Sequence, residues 1–243
     1  MLGDEAGLPP SRLKQKRDTL FSIIPGIVQS SPDFLVTVFP EYRSRSRCYH
    51  APMLRAGFIL TGGQSSRMGT DKALLPWSQT TVVEHLAGIA RAVAGSVTLV
   101  GEPRRYRHLG MPCLADLRPG LGPLSGLEAA LSATEAPWNL ILACDMPDVA
   151  PELLERLFAC TSDSNALAVL VRDQNSRVHP LCAVYHRQCL PVIQRALNQG
   201  QFRLMNVVEI LNPIYLEINS TVHNINTPEE RAAFCSPELQ HGQ

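Results

Sequence analysis

The chain predicts a three-layer α/β/α fold, with helices on both faces of a mainly parallel sheet. Three observations carry that prediction. Short apolar runs alternate with segments of helical periodicity from residue 56 onward, the pattern that builds parallel sheets needing helical cover. Polar loops rich in glycine or proline follow several of those runs. The 243 residues, 45% of them apolar, supply enough side chains for a sizeable core.

The elements read in order. Ala56–Leu60 is an apolar first strand. Thr80–Val93 has apolar Val82, Val83, Leu86, Ile89, Ala90 and Val93 at three- and four-residue steps, which predicts a helix. Val97–Val100 is a second strand. Leu124–Leu131 reads as a helix after the turn proline Pro123. Trp138–Cys144 is a strongly apolar strand ending at Asp145. Pro151–Phe158 is a helix with proline at its first position, and Asp148 is the expected N-cap. Ala166–Val171, a polar turn from Arg172 to Arg177, and Leu181–Tyr185 follow. Leu190–Leu197 and Leu204–Leu211 predict helices, Ile214–Ile218 a strand, and Pro228–Phe234 a last helix, with Thr227 as cap and Glu230 completing a capping box.

Residues 1–55 differ in kind. Prolines at 9, 10, 25, 32, 40 and 52 isolate short apolar pieces, and basic residues cluster at Arg12–Arg17 and Arg43–Arg47. A segment that buries little apolar area does not offset an ordering cost of roughly 1–2 kcal/mol per residue, so poor order is expected there. A basic arm for a partner and a start assigned too far upstream, with Met53 as the natural first residue, are the two readings of it. The expected domain is 56–238.

Formal charge is balanced, 22 basic against 22 acidic residues, which argues against broad attraction to nucleic acid or to an anionic membrane. The seven cysteines include no Cys-x-x-Cys pair and several lie in apolar runs. They read as small core residues in a reducing compartment rather than as a disulfide or zinc framework. No apolar run reaches the length of a membrane span and no secretion signal is evident. A cytoplasmic protein is the expectation.

Three loops hold the chemistry. The first is Leu60-Thr61-Gly62-Gly63-Gln64-Ser65-Ser66-Arg67-Met68-Gly69-Thr70-Asp71-Lys72. Glycines there open backbone angles closed to other residues and present N–H groups to an anion, while Arg67 and Lys72 add positive charge. Its spacing matches neither the Walker phosphate loop nor the dinucleotide fingerprint. The second runs from Asp116 through Gly120, Gly122 and Pro123 to Ser125-Gly126, at a helix start suited to polar or anionic groups. The third is Cys144-Asp145-Met146-Pro147, where a carboxylate at a strand end could hold Mg²⁺ together with phosphates. Each loop alone also fits an ordinary strand-to-helix connection.

Taken together, these motifs and Asn224-Ile225-Asn226-Thr227-Pro228 resemble the molybdenum cofactor guanylyltransferases, a molybdopterin branch of the Rossmann-like nucleotidyltransferase fold. The resemblance spans residues 56 to about 235. It implies GTP contacts through Leu60, Thr61 and Gly62, with Lys72 on the phosphates, Asp116 on the nucleotide, and Asp145 on both GTP and Mg²⁺. Position 61 is usually alanine in the family. Some members place a GTP-binding Asn after the second strand, which Val100-Gly101-Glu102 does not supply. A cofactor-facing surface of Arg177, His179, Arg203, Asn224 and Asn226 is implied as well. Arg172, Arg177 and His179 also fit a solvated hairpin rim.

The reaction so implied is attack by the terminal phosphate of molybdenum-bearing molybdopterin on the α-phosphorus of GTP, expelling pyrophosphate. Both reactants are anions, so charge neutralisation and in-line alignment are the enzyme's tasks, shared by Arg67, Lys72 and Mg²⁺ on Asp145. The implied partners are GTP and molybdenum-molybdopterin, with proteins of molybdopterin synthesis and acceptor molybdoenzymes beyond them. The same apparatus would serve CTP in a cytidylyltransferase, and a cofactor-binding or chaperone protein without catalysis is the reading from a different class. A sugar-1-phosphate enzyme fits less well, since that group usually has a longer chain and a different basic run after the glycine loop.

Overall fold

A computed structural model describes residues 55–62, 71–162 and 166–225. The N-terminal extension, Arg67, Asn226 and the expected helix at Pro228–Phe234 lie outside the described residues. In chain order the elements are β1 (Arg55–Leu60), a 3-10 turn (Lys72–Leu74), the two-residue strands β2 (Pro76–Trp77) and β3 (Thr80–Thr81), α1 (Val82–Ala94), β4 (Val97–Val100) and α2 (Pro103–Tyr106). Then come β5 (Cys113–Leu114), α3 (Pro123–Ser132), β6 (Trp138–Ala143), α4 (Pro151–Ala159), β7 (Ala168–Arg172), β8 (Val178–His186), α5 (Leu190–Asn198), α6 (Leu204–Ile210) and β9 (Ile214–Glu217).

Seven strands form one sheet in the order β5-β4-β1-β6-β8-β7-β9. β5, β4, β1 and β6 run parallel, so their carboxyl ends share one edge. β8 is antiparallel to both its neighbours, and β9 returns parallel to β7. The short turn at 173–177 explains the reversal: it has no room for a crossover helix, so β7 and β8 must pair as a hairpin.

Alternation along the strands divides the core into two layers. Ile59, Leu140, Leu142, Val169, Val171, Cys182 and Val184 face the layer that contains buried α1 and α4 residues. Phe58, Leu60, Ile141, Leu170, Ala183 and Tyr185 face the layer of α3, α5 and α6. Every strand of the central group is thus buried on both faces, and its near-continuous apolar run follows from that. Gly57 lets the end of α1 approach β1: an added Cβ would lie 2.8 Å from the Ser96 carbonyl and 3.4 Å from Ala90 Cβ.

Two expectations need correction. The first helix starts at Val82 rather than Thr80, because Thr80-Thr81 pairs with Pro76-Trp77 as a small antiparallel hairpin. Thr81 is the N-cap, and Glu84 closes a capping box by accepting from the Thr81 N–H at 2.9 Å. A cap of this kind contributes about 1 kcal/mol. Asp148 does not cap α4. That N-cap is Ala150, with no side-chain hydrogen bond, and Asp148 instead pairs with His223 Nδ1 at 3.0 Å.

Candidate active site

The carboxyl ends of β1, β4, β5 and β6 bring the polar residues to one edge, where ligands bind in open α/β sheets. At the end of β1, the Thr61 N–H and hydroxyl both donate to the Val100 carbonyl, at 2.9 and 3.1 Å. Thr61 fills the space above Gly101, where an added Cβ would collide with its Oγ1. Leu60 is buried; its side chain packs on Gly126 and its carbonyl accepts from the Cys144 N–H at 3.2 Å. Gly62 is exposed at the mouth of the edge.

Asp116 lies between Gly62 and Gly126. A Cβ on either glycine would come within 3.6 or 3.5 Å of one of its carboxylate oxygens. Burial raises the Asp116 carboxyl above its ordinary range. Two residues on, Arg118 fixes the loop: its Nε and Nη2 meet the two oxygens of buried Glu128 at 3.0 and 3.1 Å, and its Nη1 donates to Asn198 at 2.7 Å. The Arg118 N–H donates to Ser125 Oγ at 3.1 Å. The loop after β5 is therefore tied to α3 and α5.

Lys72 is half-buried in the 3-10 turn. Asp71 caps that turn by accepting from the Ala73 N–H at 3.0 Å. Ala73 and Leu75 anchor it in the α1 layer.

Asp145 follows β6. Burial pushes its carboxyl above the usual range, while Lys72, a backbone hydrogen bond, Asn224 and Arg177 pull it down. Oδ2 accepts from the Asn224 amide at 3.3 Å, and the Asp145 carbonyl accepts from the Ile225 N–H at 2.8 Å. Oδ1 is buried and has no hydrogen-bond partner among the described residues. The neighbouring Cys144 thiol is pushed up to about 12, chiefly by burial, which keeps it protonated and inert.

The structure thus gathers Lys72, Asp145, Asn224 and the charge of Arg177, with Asp116 at the neighbouring glycines. His179 is not on an open surface: it is 3% exposed and its Nε2 lies 3.0 Å from Asp173 Oδ2. Asp173 also accepts from the N–H groups of Asn175 and Arg177 at 2.9 and 3.1 Å, so the pair shapes the turn that presents Arg177. Arg203 occupies the N-cap position of α6, and no hydrogen bond or ion pair among the described residues joins it to Lys72, Asp116 or Asp145. Sequence reasoning missed Tyr106, Arg118, Glu128 and Asp173. Only Glu128 left a signal, as a charge within an apolar helix.

The family model described as a MobA-like NTP transferase domain matches residues 57–213. The chain belongs to that family. Relatives of the MobA-like family agree: a Flavobacterium johnsoniae protein carrying the name "Probable molybdenum cofactor guanylyltransferase" is 32% identical over 180 residues, covering 71% of this chain and 92% of its own. A Nostoc protein of the same name is 35% identical over 187 residues, covering 72% of this chain and 88% of its own. In fold, the chain resembles the crystal structure of molybdopterin-guanine dinucleotide biosynthesis protein A from Archaeoglobus fulgidus. The TM-score is 0.62 at 23% identity, with 74% of this chain and 96% of that one covered. The mainly parallel α/β nucleotidyltransferase fold expected from the sequence is therefore the fold present.

Proposed function

We propose that the protein transfers GMP from GTP to molybdenum-bearing molybdopterin, forming the guanine dinucleotide cofactor and pyrophosphate. The observation that carries this reading is the meeting of Lys72 and Arg177 charge at Asp145, whose Oδ1 is buried without a hydrogen-bond partner among the described residues. Relatives of nearly the same length as the matched region bear the guanylyltransferase name.

A divalent cation fits Asp145. A buried carboxylate oxygen with no hydrogen-bond partner among the described residues can take up a cation, while the nearby Lys72 and Arg177 charges suit the phosphates. One carboxylate with triphosphate oxygens and water is how Mg²⁺ is commonly held. The bound ion would neutralise charge on the phosphates. A fold neighbour from Mycobacterium tuberculosis was solved as a complex with manganese, at TM-score 0.57 and 19% identity.

The protein's own groups do the rest. Lys72 lies on the phosphate side and offsets charge that gathers on pyrophosphate as the bond between the α-phosphorus and its bridging oxygen breaks. The incoming phosphate oxygen forms the new bond to the α-phosphorus. It is already ionised near neutrality, so no general base is required. Arg177, whose N–H is held by Asp173, would offset the acceptor's negative charge. Asp116 offers a carboxylate to N–H or O–H donors of the nucleotide, and guanine's N1–H and amino group are such donors. Arg67 and Asn226 keep their proposed roles at the phosphates and the acceptor, and Arg203 its proposed role at the acceptor. The buried free thiols Cys182 and Cys189 suit a reducing compartment.

The test is pyrophosphate release from GTP, Mg²⁺ and molybdenum-molybdopterin, with CTP in parallel. Turnover with CTP alone would replace this reading by the cytidylyl one.

A further inference from the structure

Beyond the residues the reaction needs directly, one buried hydroxyl ties both ends of the glycine-rich segment together. Tyr106, at the end of α2, is 1% exposed. Its hydroxyl donates to Asp71 Oδ2 at 2.8 Å and reaches the Thr61 carbonyl at 3.4 Å. Thr61 begins segment 61–71 and Asp71 ends it, so one phenol on a different element bridges the two. Burial holds the phenol above its ordinary range, and it stays a donor across the working pH.

The two oxygens of Asp71 have separate duties. Oδ1 accepts from the Ala73 N–H at 3.0 Å and so caps the turn that begins with Lys72. Oδ2 takes the Tyr106 hydroxyl and, at 3.2 Å, Nη1 of half-exposed Arg105. Without the hydroxyl, Oδ2 would keep, among the described residues, the Arg105 contact alone, and the carboxylate could turn away from Ala73. Lys72 is adjacent to that hinge. Its backbone is fastened from below by Ala73 and Leu75 in the core and from the side by Asp71.

We infer that Tyr106 is a positioning residue for Lys72, acting through Asp71 to hold the lysine where it meets the nucleotide phosphates. A short charge-assisted hydrogen bond is strong enough to set a rotamer, and a misplacement of about 1 Å can cost catalysis heavily. The inference rests on the proposed role of Lys72. Tyr106 touches no reacting atom.

The experiment is a double-mutant cycle on the full-length protein, with GTP, Mg²⁺ and molybdenum-molybdopterin as substrates. Tyr106→Phe keeps the buried ring and removes only the hydroxyl. It is compared with wild type, and Lys72→Ala/Tyr106→Phe with Lys72→Ala, by kcat/KM for GTP and by calorimetric Kd for GTP. Expected is a loss on the order of tenfold in kcat/KM in the wild-type background and almost none in the Lys72→Ala background. Asp71→Asn, made separately, removes the charge from the same contact on its other side and should show the same dependence on Lys72. Equal losses in both backgrounds would overturn the assignment, since a purely structural hydroxyl would act regardless of the lysine. If Lys72→Ala itself left GTP kinetics unchanged, the phosphate role of Lys72 would fall, and the positioning role with it.

Discussion

The Asn224 side-chain amide donates to Asp145 Oδ2 at 3.3 Å, joining residues 79 positions apart at the end of β6. The other carboxylate oxygen is left buried and without a partner among the described residues. Burial holds this carboxyl above its ordinary range, so its charge is costly to the folded state.

Asp145→Asn should therefore separate stability from activity. Removing the buried charge should leave the unfolding free energy equal to or above that of wild type near neutral pH. Transfer should fall by at least about 10³-fold, roughly 4 kcal/mol of barrier. Urea denaturation and pyrophosphate release measure the two. A variant that loses both together would mean that Asp145 is structural.

Thr61 and Gly101 should behave as a coupled pair. Gly101→Ala forces Thr61 Oγ1 off its 3.1 Å bond to Val100 or shifts the strand ends. The expected cost is about 1–3 kcal/mol in chemical denaturation, as for other overpacked sites. In a Thr61→Ala background most of that cost should vanish. Equal costs in both backgrounds would show that the two do not compete for space.

Arg118→Ala should leave the Glu128 carboxylate buried and unpaired, since Glu128 is 3% exposed by side chain. Breaking such a pair costs about 3–5 kcal/mol when fully buried. Arg118 is 31% exposed, so about 2–3 kcal/mol is expected here. KM for the nucleotide should also rise, because Asp116 loses the anchor of its loop. An unchanged KM with lowered stability would confine Arg118 to folding.

The Asp173–His179 pair gives a pH signature. His179, followed by two N–H donors in the turn, holds the Asp173 carboxyl below its ordinary value of 3.8. A depressed carboxyl contributes stability above its unfolded pKa and loses it as pH falls through the folded one. The stability gap between wild type and Asp173→Asn should narrow as pH falls below about 4. A gap that widens on acidification would contradict the pairing.

The layers of the fold were legible because β1, β6 and α1 carry periodic apolar patterns that burial enforces. Asp145 could be named because it directly follows an apolar strand, whereas Lys72 and Asp116 were named through the motif resemblance. The β7–β8 reversal was harder, since an apolar strand buried on both faces reads alike in either direction. Tyr106 and Asp173 left no local trace: each matters through a partner 35 or 6 positions away, Asp71 or His179, and no period reports such contacts. The supposed cap Asp148 shows the converse, a side chain whose nearest helix was not its partner. His179 shows it too, since the turn before it claimed the imidazole.

The central claim is nucleotide transfer with a choice of base, and the rate of pyrophosphate release with GTP against CTP, in the presence of Mg²⁺ and molybdenum-molybdopterin, tests it most directly. GTP should be preferred by at least about 10²-fold in kcat/KM, about 2.7 kcal/mol, with guanine dinucleotide cofactor as the product. Equal rates, a preference for CTP, or no release with either nucleotide would contradict it.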